Sequence, residues 1–430
     1  MSAGGPRVSL DPVPAEARRV LEAAAAVADR RSERLAWVGG GVRDLLLGRG
    51  GLDLDLVLEG DPAAFAHDLA ARLGGEVRLH PRFLTATLAL PAAARLDVAR
   101  ARRERYAAPA VLPEVEPACL DEDLARRDFT INALAITLAP GAERGTLVDP
   151  AGGQRDLEAG LLRALHPGSF VDDPTRLLRG LRFALRFAFR FEAATAGWAR
   201  AAVAGGVPAL LSGSRLAHDL QLLFDDRPEI EDALAALAEM GLTGILAPAL
   251  ADRDRVARAV RLSASVRSEA ARLAPRLRAR GWRLALLSIA ATAGVPMAAG
   301  LAARLALPGA ERDLVVSGPS RVARVVRLLA PASLSHEAAE LLAPLCAEEL
   351  ALAAATGPAP ATWVRRWLEE LRDLRLAVTG EDLVAAGVPP GPRLGAALRA
   401  TRRARQDGLI DRAGELEFAL RRSAGDEEPG

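Results

Sequence analysis

The chain is expected to fold as an α+β head carrying a small mixed sheet, followed by an all-α remainder, and three observations lead there. Strand-like runs are confined to the first third, at 36–38, 53–58, 76–80, 85–90 and 95–99. Beyond about residue 155 the apolar spacing is almost wholly helical, with breaks at Gly205-Gly206-Val207-Pro208, Asp226-Arg227-Pro228, Leu307-Pro308-Gly309 and Gly357-Pro358-Ala359-Pro360. At 430 residues the chain also exceeds what one hydrophobic core supports. We expect a head over 1–160, a helical neck over 161–235 and a helical body and tail over 236–430.

Taken in order, Trp37-Val38 reads as a short strand, Gly39-Gly40-Gly41 as a tight loop, and Val42-Arg43-Asp44-Leu45-Leu46-Leu47-Gly48 as the start of a helix. Strand, glycine loop and helix N-terminus together make an anion cradle, although the glycines alone are equally those of a plain turn. In the next run, Gly51-Leu52-Asp53-Leu54-Asp55-Leu56-Val57-Leu58, alternation throws Asp53 and Asp55 onto one face and the leucines onto the other. Two acids on one face repel unless a cation sits between them. A phosphate cradle beside such a pair points to a nucleotide held by its phosphates, with Mg²⁺ bridging phosphates and acids.

The charged stretch 100–106 and the Pro-rich segment to Pro117 read as a mobile loop near this site. A helix over 172–190 places Arg176, Arg179, Arg182, Arg186 and Arg190 within an arc of roughly 120°, with Leu177, Leu178, Leu181 and Leu185 opposite. The uncharged run 284–303 contains Ser288, Gly294, Pro296 and Gly300, which makes it two buried helices and not a membrane span. His218-Asp219 in a helical run, and Trp282, Trp363 and Trp367, are assigned to structure. The tail 423–430 is expected to be disordered.

The formal charge is only +1, so a nucleic-acid surface must come from local clustering, and all 56 basic residues are arginine. Cys119 and Cys346 stand far apart, and the five histidines show no metal-ligand spacing with them. With no signal-peptide core at the N-terminus, we expect a cytoplasmic protein.

Four segments share the order and spacing of one family: Val38-Gly39-Gly40-Gly41-Val42-Arg43-Asp44 with Asp53-Leu54-Asp55; Arg126-Arg127-Asp128-Phe129-Thr130-Ile131-Asn132-Ala133; Leu147-Val148-Asp149-Pro150-Ala151-Gly152-Gly153 with Asp156-Leu157; and Asp172-Asp173-Pro174-Thr175-Arg176-Leu177-Leu178-Arg179. Over roughly 36–250 the chain thereby resembles the class II tRNA nucleotidyltransferases and bacterial poly(A) polymerases. The resemblance implies a polymerase-beta-like nucleotidyltransferase head and template-independent addition of C and A to the tRNA 3′ end from CTP and ATP. It makes Asp53 and Asp55 the ligands of two Mg²⁺ ions. Asp97 becomes either a third catalytic carboxylate or a strand-end acid paired with Arg100. It also implies that Gly39, Gly40 and Arg43 meet the triphosphate, that Arg127 and Asp128 meet sugar and phosphate, and that Asn132 caps a following helix. The helical region would bind the acceptor end and elbow of tRNA by shape and phosphate contacts.

In the same family reading Asp173 and Arg176 form a protein template for the incoming base, with Arg179 and Arg182 holding base and phosphates. Chemistry agrees: cytosine and adenine each present an amino donor beside a ring-nitrogen acceptor, which suits a carboxylate and a guanidinium. Uracil and guanine would set acceptor against acceptor and donor against donor, and each buried group left unpaired costs about 1–3 kcal/mol. Asp172 stands where the family usually has Glu. A solvated arginine face is the alternative for this helix. Three other readings stay open: a poly(A) polymerase, opposed by the acidic C-terminal end; a partial enzyme adding CC or A; and a non-catalytic RNA-binding protein, opposed by the intact acids.

Overall fold

The computed structural model describes residues 5–50, 53–91, 95–139, 144–227, 229–274, 276–329 and 334–424. The chain forms two units, Met1–Arg215 and Leu216–Gly430.

The first unit begins with α1 (Ala15–Arg31), whose Val20, Leu21, Ala24, Val27 and Ala28 are buried. There follow β1 (Arg34–Val38), α2 (Gly40–Leu46), β2 (Leu54–Glu59), α3 (Pro62–Leu73), β3 (Glu76–His80), β4 (Thr85–Ala89) and β5 (Arg95–Arg100). Asp61 caps α3 by accepting from the Ala63 amide at 2.9 Å, and Pro62 occupies the first turn, where its missing N–H is harmless. Next come β6 (Arg102–Arg105), β7 (Glu114–Pro117), α4 (Leu120–Ala125), β8 (Ala135–Ala139), β9 (Leu147–Val148), α5 (Gly153–Ala159), β10 (Leu161–Leu162), α6 (Ser169–Asp172), α7 (Thr175–Phe187), β11 (Arg190–Phe191) and α8 (Ala193–Ala204).

The seven-stranded mixed sheet runs β3-β4-β5-β2-β1-β8-β9. Within this sheet β2 and β5 pair in parallel, which sets Asp55 directly opposite Asp97, whereas β1 pairs antiparallel to β2 on one side and β8 on the other. Leu35, Ala36, Trp37 and Val38 of the central strand are all buried.

All five expected strands form, with ends moved by one or two residues. The sequence reading missed β8, because Ala135-Ile136-Thr137-Leu138-Ala139 is buried on both faces and a short uniform apolar run has no alternation. The segment expected to be a mobile loop instead contains the β6/β7 hairpin, in which Arg103 Nε meets Glu116 at 2.8 Å across the strands. The three glycines are not one loop either. Gly39 alone turns the chain, at φ +73°, and Gly40 and Gly41 already belong to α2. A Cβ on Gly41 would overlap the Asp53 carbonyl oxygen and lie 2.6 Å from Trp37 Nε1. Trp37 Nε1 itself donates to that carbonyl at 3.0 Å. Glycine is thus what lets α2 pack directly on the backbone that leads into β2.

The second unit is helical. Gly294, at φ +81°, separates helices Gly281–Ala293 and Val295–Arg304, as expected for 284–303, and among the described residues no helix is long and apolar enough to cross a membrane. Trp282 packs on Phe224 and Trp367 is buried, in line with structural roles, while His218 is exposed on helix α9 (Gly213–Asp225). Val378, Leu383, Val388, Ala397 and Ala419 form a separate small core near the end of the chain. Ser423 and Ala424, expected to be disordered, close the helix Glu415–Ala424, and 425–430 lie outside the described residues.

Gly41→Ala is expected to lower stability by about 1–3 kcal/mol, because the clash is with backbone that cannot swing aside. Thermal melting of the variant checks this, and an unchanged midpoint would contradict the packing role.

Candidate active site

Three loops and two helix ends converge on one cavity of about 480 Å³ in the first unit. The α2 N-terminus brings Gly39, Gly40 and Arg43, and the entry to β2 brings Asp53 and Asp55. The α4–β8 connection brings Arg126, Arg127, Asp128 and Asn132; helix α7 and its approach bring Asp173, Arg176, Arg179, Arg182, Phe183 and Arg186. The hairpin adds Glu104 and Tyr106. Seven arginines against five acids give the cavity an excess of positive charge.

Asp53 and Asp55 flank Leu54, and the charge of Asp53 acts on the Asp55 carboxyl. Burial, then the negative charges of Asp53 and Asp97, push the Asp55 carboxyl up to about 6. A Cβ on Gly40 would stand 3.5 Å from Arg43 Nη2 and 4.0 Å from Asp53 Oδ2, so the bare glycine opens the space between a guanidinium and the acid pair. Gly39 is also constrained, since a Cβ there would come within 2.7 Å of Arg127 Nη1.

Buried acids fix the arginines. Asp123, fully buried, takes Arg126 Nη2 at 2.7 Å and Arg127 Nη2 at 3.1 Å, and it accepts the Arg102 amide at 3.3 Å. Burial alone would raise the Asp123 carboxyl, but the two guanidiniums outweigh it and hold it below the usual carboxylate range. Asp128 behaves alike: burial works against its charge, yet Arg179 at 2.7 Å and the Asn132 amide at 2.9 Å bring its carboxyl down to about 2. Arg43 donates Nε to Asp44 at 2.9 Å and Nη1 to Asn132 Oδ1 at 2.6 Å, while its guanidinium carbon lies 5.2 Å and 4.7 Å from the ring centres of Phe183 and Phe187.

Asp173 and Arg176 are held from behind. Asp173 Oδ1 accepts from Thr175 Oγ1 at 2.8 Å and from Arg215 Nη2 at 2.7 Å. Arg176, 5 % exposed, donates Nη1 to Ser169 Oγ at 2.7 Å and Nη2 to the Arg126 carbonyl at 2.8 Å.

The structure therefore brings Gly39, Gly40, Arg43, Asp53, Asp55, Arg127, Asp128, Asp173, Arg176, Arg179 and Arg182 to one cavity. Asp97 borders a neighbouring cavity instead. Its carboxylate accepts from Thr87 Oγ1 at 2.6 Å and pairs with Arg95 at 3.0 Å, so the expected partner Arg100 is replaced by the residue two positions earlier on the same strand face. Among the described residues no group of three His, Cys, Asp or Glu side chains is arranged to hold a metal ion by itself.

Two further expectations are corrected. Asn132 caps no helix, because it is itself the last residue of a 3₁₀ turn (Thr130–Asn132) and β8 follows; it ties Arg43 to Asp128. Arg190 leaves the arginine face, because α7 ends at Phe187 and Arg190 lies in β11.

Sequence reasoning gave no functional role to Glu104, Tyr106, Arg126 or Phe183. Tyr106 donates to Glu104 at 2.9 Å, and Glu104 takes Arg126 at 2.7 Å. The one available signal was that Tyr106 is the single tyrosine of the chain.

With this geometry in view, residues 35–163 match the poly A polymerase head domain. An A-adding tRNA nucleotidyltransferase of Halalkalibacterium halodurans is 48% identical over 49% of this chain, which spans about half (51%) of that relative. A CC-adding tRNA nucleotidyltransferase of Deinococcus radiodurans is 35% identical over 90% of this chain and 88% of its own length. A solved Thermotoga maritima CCA-adding enzyme, complexed with tRNA_CCA, superposes with a TM-score of 0.73 at 26% identity, covering 97% of this chain and 99% of its own. Likeness sustained over nearly the whole of both chains, together with the matching head, places this chain in the tRNA nucleotidyltransferase family.

Proposed function

We propose that the protein is a template-independent RNA nucleotidyltransferase that adds C and A to the 3′ end of tRNA from CTP and ATP. The observation that carries this is the joining, in one cavity, of an acid pair, a glycine-opened helix N-terminus and an arginine-lined wall containing Asp173 and Arg176. The 3′-oxygen of the RNA forms its bond to the α-phosphorus as the bond from that phosphorus to the leaving pyrophosphate breaks, and the hydroxyl proton passes to water. Arg43 and the α2 N-terminus hold the triphosphate, and Asp173 and Arg176 meet the base edge. Both are pre-positioned by neighbours, so little ordering is needed when the nucleotide arrives. The helical neck (161–235) and body and tail (236–430) are assigned to tRNA.

The residues present fit Mg²⁺. Asp55 is held at an energetic disadvantage beside Asp53 and Asp97, which a divalent cation would relieve, and a two-carboxylate site completed by substrate phosphates suits this ion. Asp53 and Asp55 would hold two such ions, whose chemistry when bound is to neutralise charge on the attacking and leaving oxygens.

A second reading, addition of CC alone, is favoured by the near full-length CC-adding relative. One experiment separates the readings: purified protein, Mg²⁺ and each labelled nucleotide are incubated with tRNA transcripts lacking CCA, CA or A. Incorporation of two C and one A supports the proposal, and C alone or A alone reveals a partial enzyme. Long A tracts on arbitrary RNA indicate a poly(A) polymerase. No incorporation on any transcript overturns the proposal in favour of a binding protein.

Asp53→Ala is expected to abolish incorporation while tRNA binding, measured by filter retention, stays near wild type; joint loss of both would contradict the metal role. Arg176→Ala should relax the preference for CTP and ATP over UTP and GTP in single-turnover competition.

Asp55 gives a pH signature. Its carboxyl is raised to about 6 in the folded protein from an ordinary value of 3.8, so the folded state binds the extra proton. Its penalty is complete above about pH 6 and is lifted as pH falls toward 4. In metal-free buffer at pH 7.5 we therefore expect Asp55→Asn to be more stable than wild type by on the order of 2 kcal/mol, a gap that closes on acidification. Adding Mg²⁺ should raise the melting temperature of wild type but not of the variant.

A further inference from the structure

Phe183 and Phe187 of α7 are four residues apart and therefore share one face of the helix. Both are buried, and their rings stack with centres 6.1 Å apart and planes at 23°. Five arginines gather on this pair. Arg43 comes from α2, Arg49 from the segment after it, and Arg179, Arg182 and Arg186 from α7 itself, with the guanidinium carbons 4.7–5.5 Å from a ring centre. All of these except Arg49 line the nucleotide cavity.

Arg43 lies over both rings and is itself only 4 % exposed. Its Nε is engaged by Asp44, an acid it shares with Arg186 at 3.6 Å, and its Nη1 by Asn132. Its Nη2 makes no hydrogen bond among the described residues and lies beside Gly40, another residue of the cavity wall. A buried guanidinium needs negative charge around it. A second carboxylate would supply that charge, but it would occupy the remaining N–H groups and repel a triphosphate. An aromatic face supplies it through the ring quadrupole and leaves the in-plane N–H groups available for phosphate oxygens.

Resting on the reading above in which Arg43 meets the triphosphate, we propose that Phe187, together with Phe183, is a positioning residue: the ring pair is a rack that holds Arg43 charged and correctly oriented for the phosphates. The rack belongs to α7, the helix that also carries Arg176. One helix thereby sets both the side chain that meets the base edge and the cation that meets the phosphates, and the spacing between base and triphosphate contacts is fixed by it. Phe187 is the closer ring to Arg43, at 4.7 Å against 5.2 Å, and Phe183 also packs edge-on against Phe129 in the core. Phe187 is therefore the position to test.

The probe is inorganic tripolyphosphate, which carries the phosphates without a base, and its Kd is read by isothermal titration with Mg²⁺ in excess. Phe187→Leu, which keeps an apolar side chain and removes the ring, should raise this Kd and the KM for CTP by roughly tenfold each, while KM for a tRNA transcript lacking CCA stays within about twofold. Packing is separated from charge by replacing Phe187 with mono-, di- and trifluorinated phenylalanines, which keep the shape of the ring and progressively drain its π charge. The tripolyphosphate Kd should rise step by step with fluorine number at an unchanged melting temperature, and the steps should vanish in Arg43→Ala. A flat fluorine series overturns the rack, whatever Phe187→Leu does. So does a series that persists in full in Arg43→Ala, since another arginine would then carry it. If tripolyphosphate does not bind the wild type, or binds Arg43→Ala equally well, the placement of Arg43 at the triphosphate falls and the rack with it. Weakened binding in Arg43→Ala beside a flat fluorine series removes only the rack.

Discussion

The site depends on one close approach: α2 packs against the backbone at Asp53, made possible by the bare Cα of Gly41 and fixed by Trp37 Nε1 on the Asp53 carbonyl. Trp37 is itself fully buried in the central strand, so the contact ties the sheet, the helix N-terminus and the acid-bearing strand into one rigid corner. The corner puts the N-terminus of α2 near two carboxylates, the arrangement on which the proposed nucleotide site rests. A larger residue at Gly41 would separate these parts without touching any of the groups proposed to do chemistry.

A second constraint follows from placing so many arginines around one cavity. Like charges crowded into partly buried space repel, and the fold offsets this with the buried acids Asp123 and Asp128. Each serves as an anchor, fixing guanidiniums whose remaining N–H groups line the cavity. Asp55 is the opposite case: an acid whose neighbours are other acids and whose carboxyl is pushed up. The contrast separates carboxylates that complete the scaffold from one that burial and like charge hold at a disadvantage.

Much of this was legible in the chain. Period-two alternation placed Asp53 and Asp55 on one face, and helical spacing put Arg176, Arg179, Arg182 and Arg186 on another, because both patterns are local properties of backbone geometry. The resemblance to the nucleotidyltransferases rested on four motifs kept in order, and the near full-length relative agrees with it. The double break at Gly294 and Pro296 was equally readable, since glycine and proline act on the backbone they occupy.

Local pattern could not say which partner a charged side chain would find. Asp97 pairs with Arg95 and Thr87 in place of Arg100, Asn132 bridges Arg43 and Asp128 in place of capping a helix, and Glu104 and Tyr106 reach the cavity from a hairpin read as loop. Each outcome turns on strand register or on segments far apart in sequence, and register is set by how the whole sheet buries its faces. The sequence by itself determined the elements, the acid pair and the arginine-striped helix, because these follow from backbone periodicity. Only the tertiary structure decided which charges face each other across the cavity, because that is a matter of distances between chain segments that propensity does not encode.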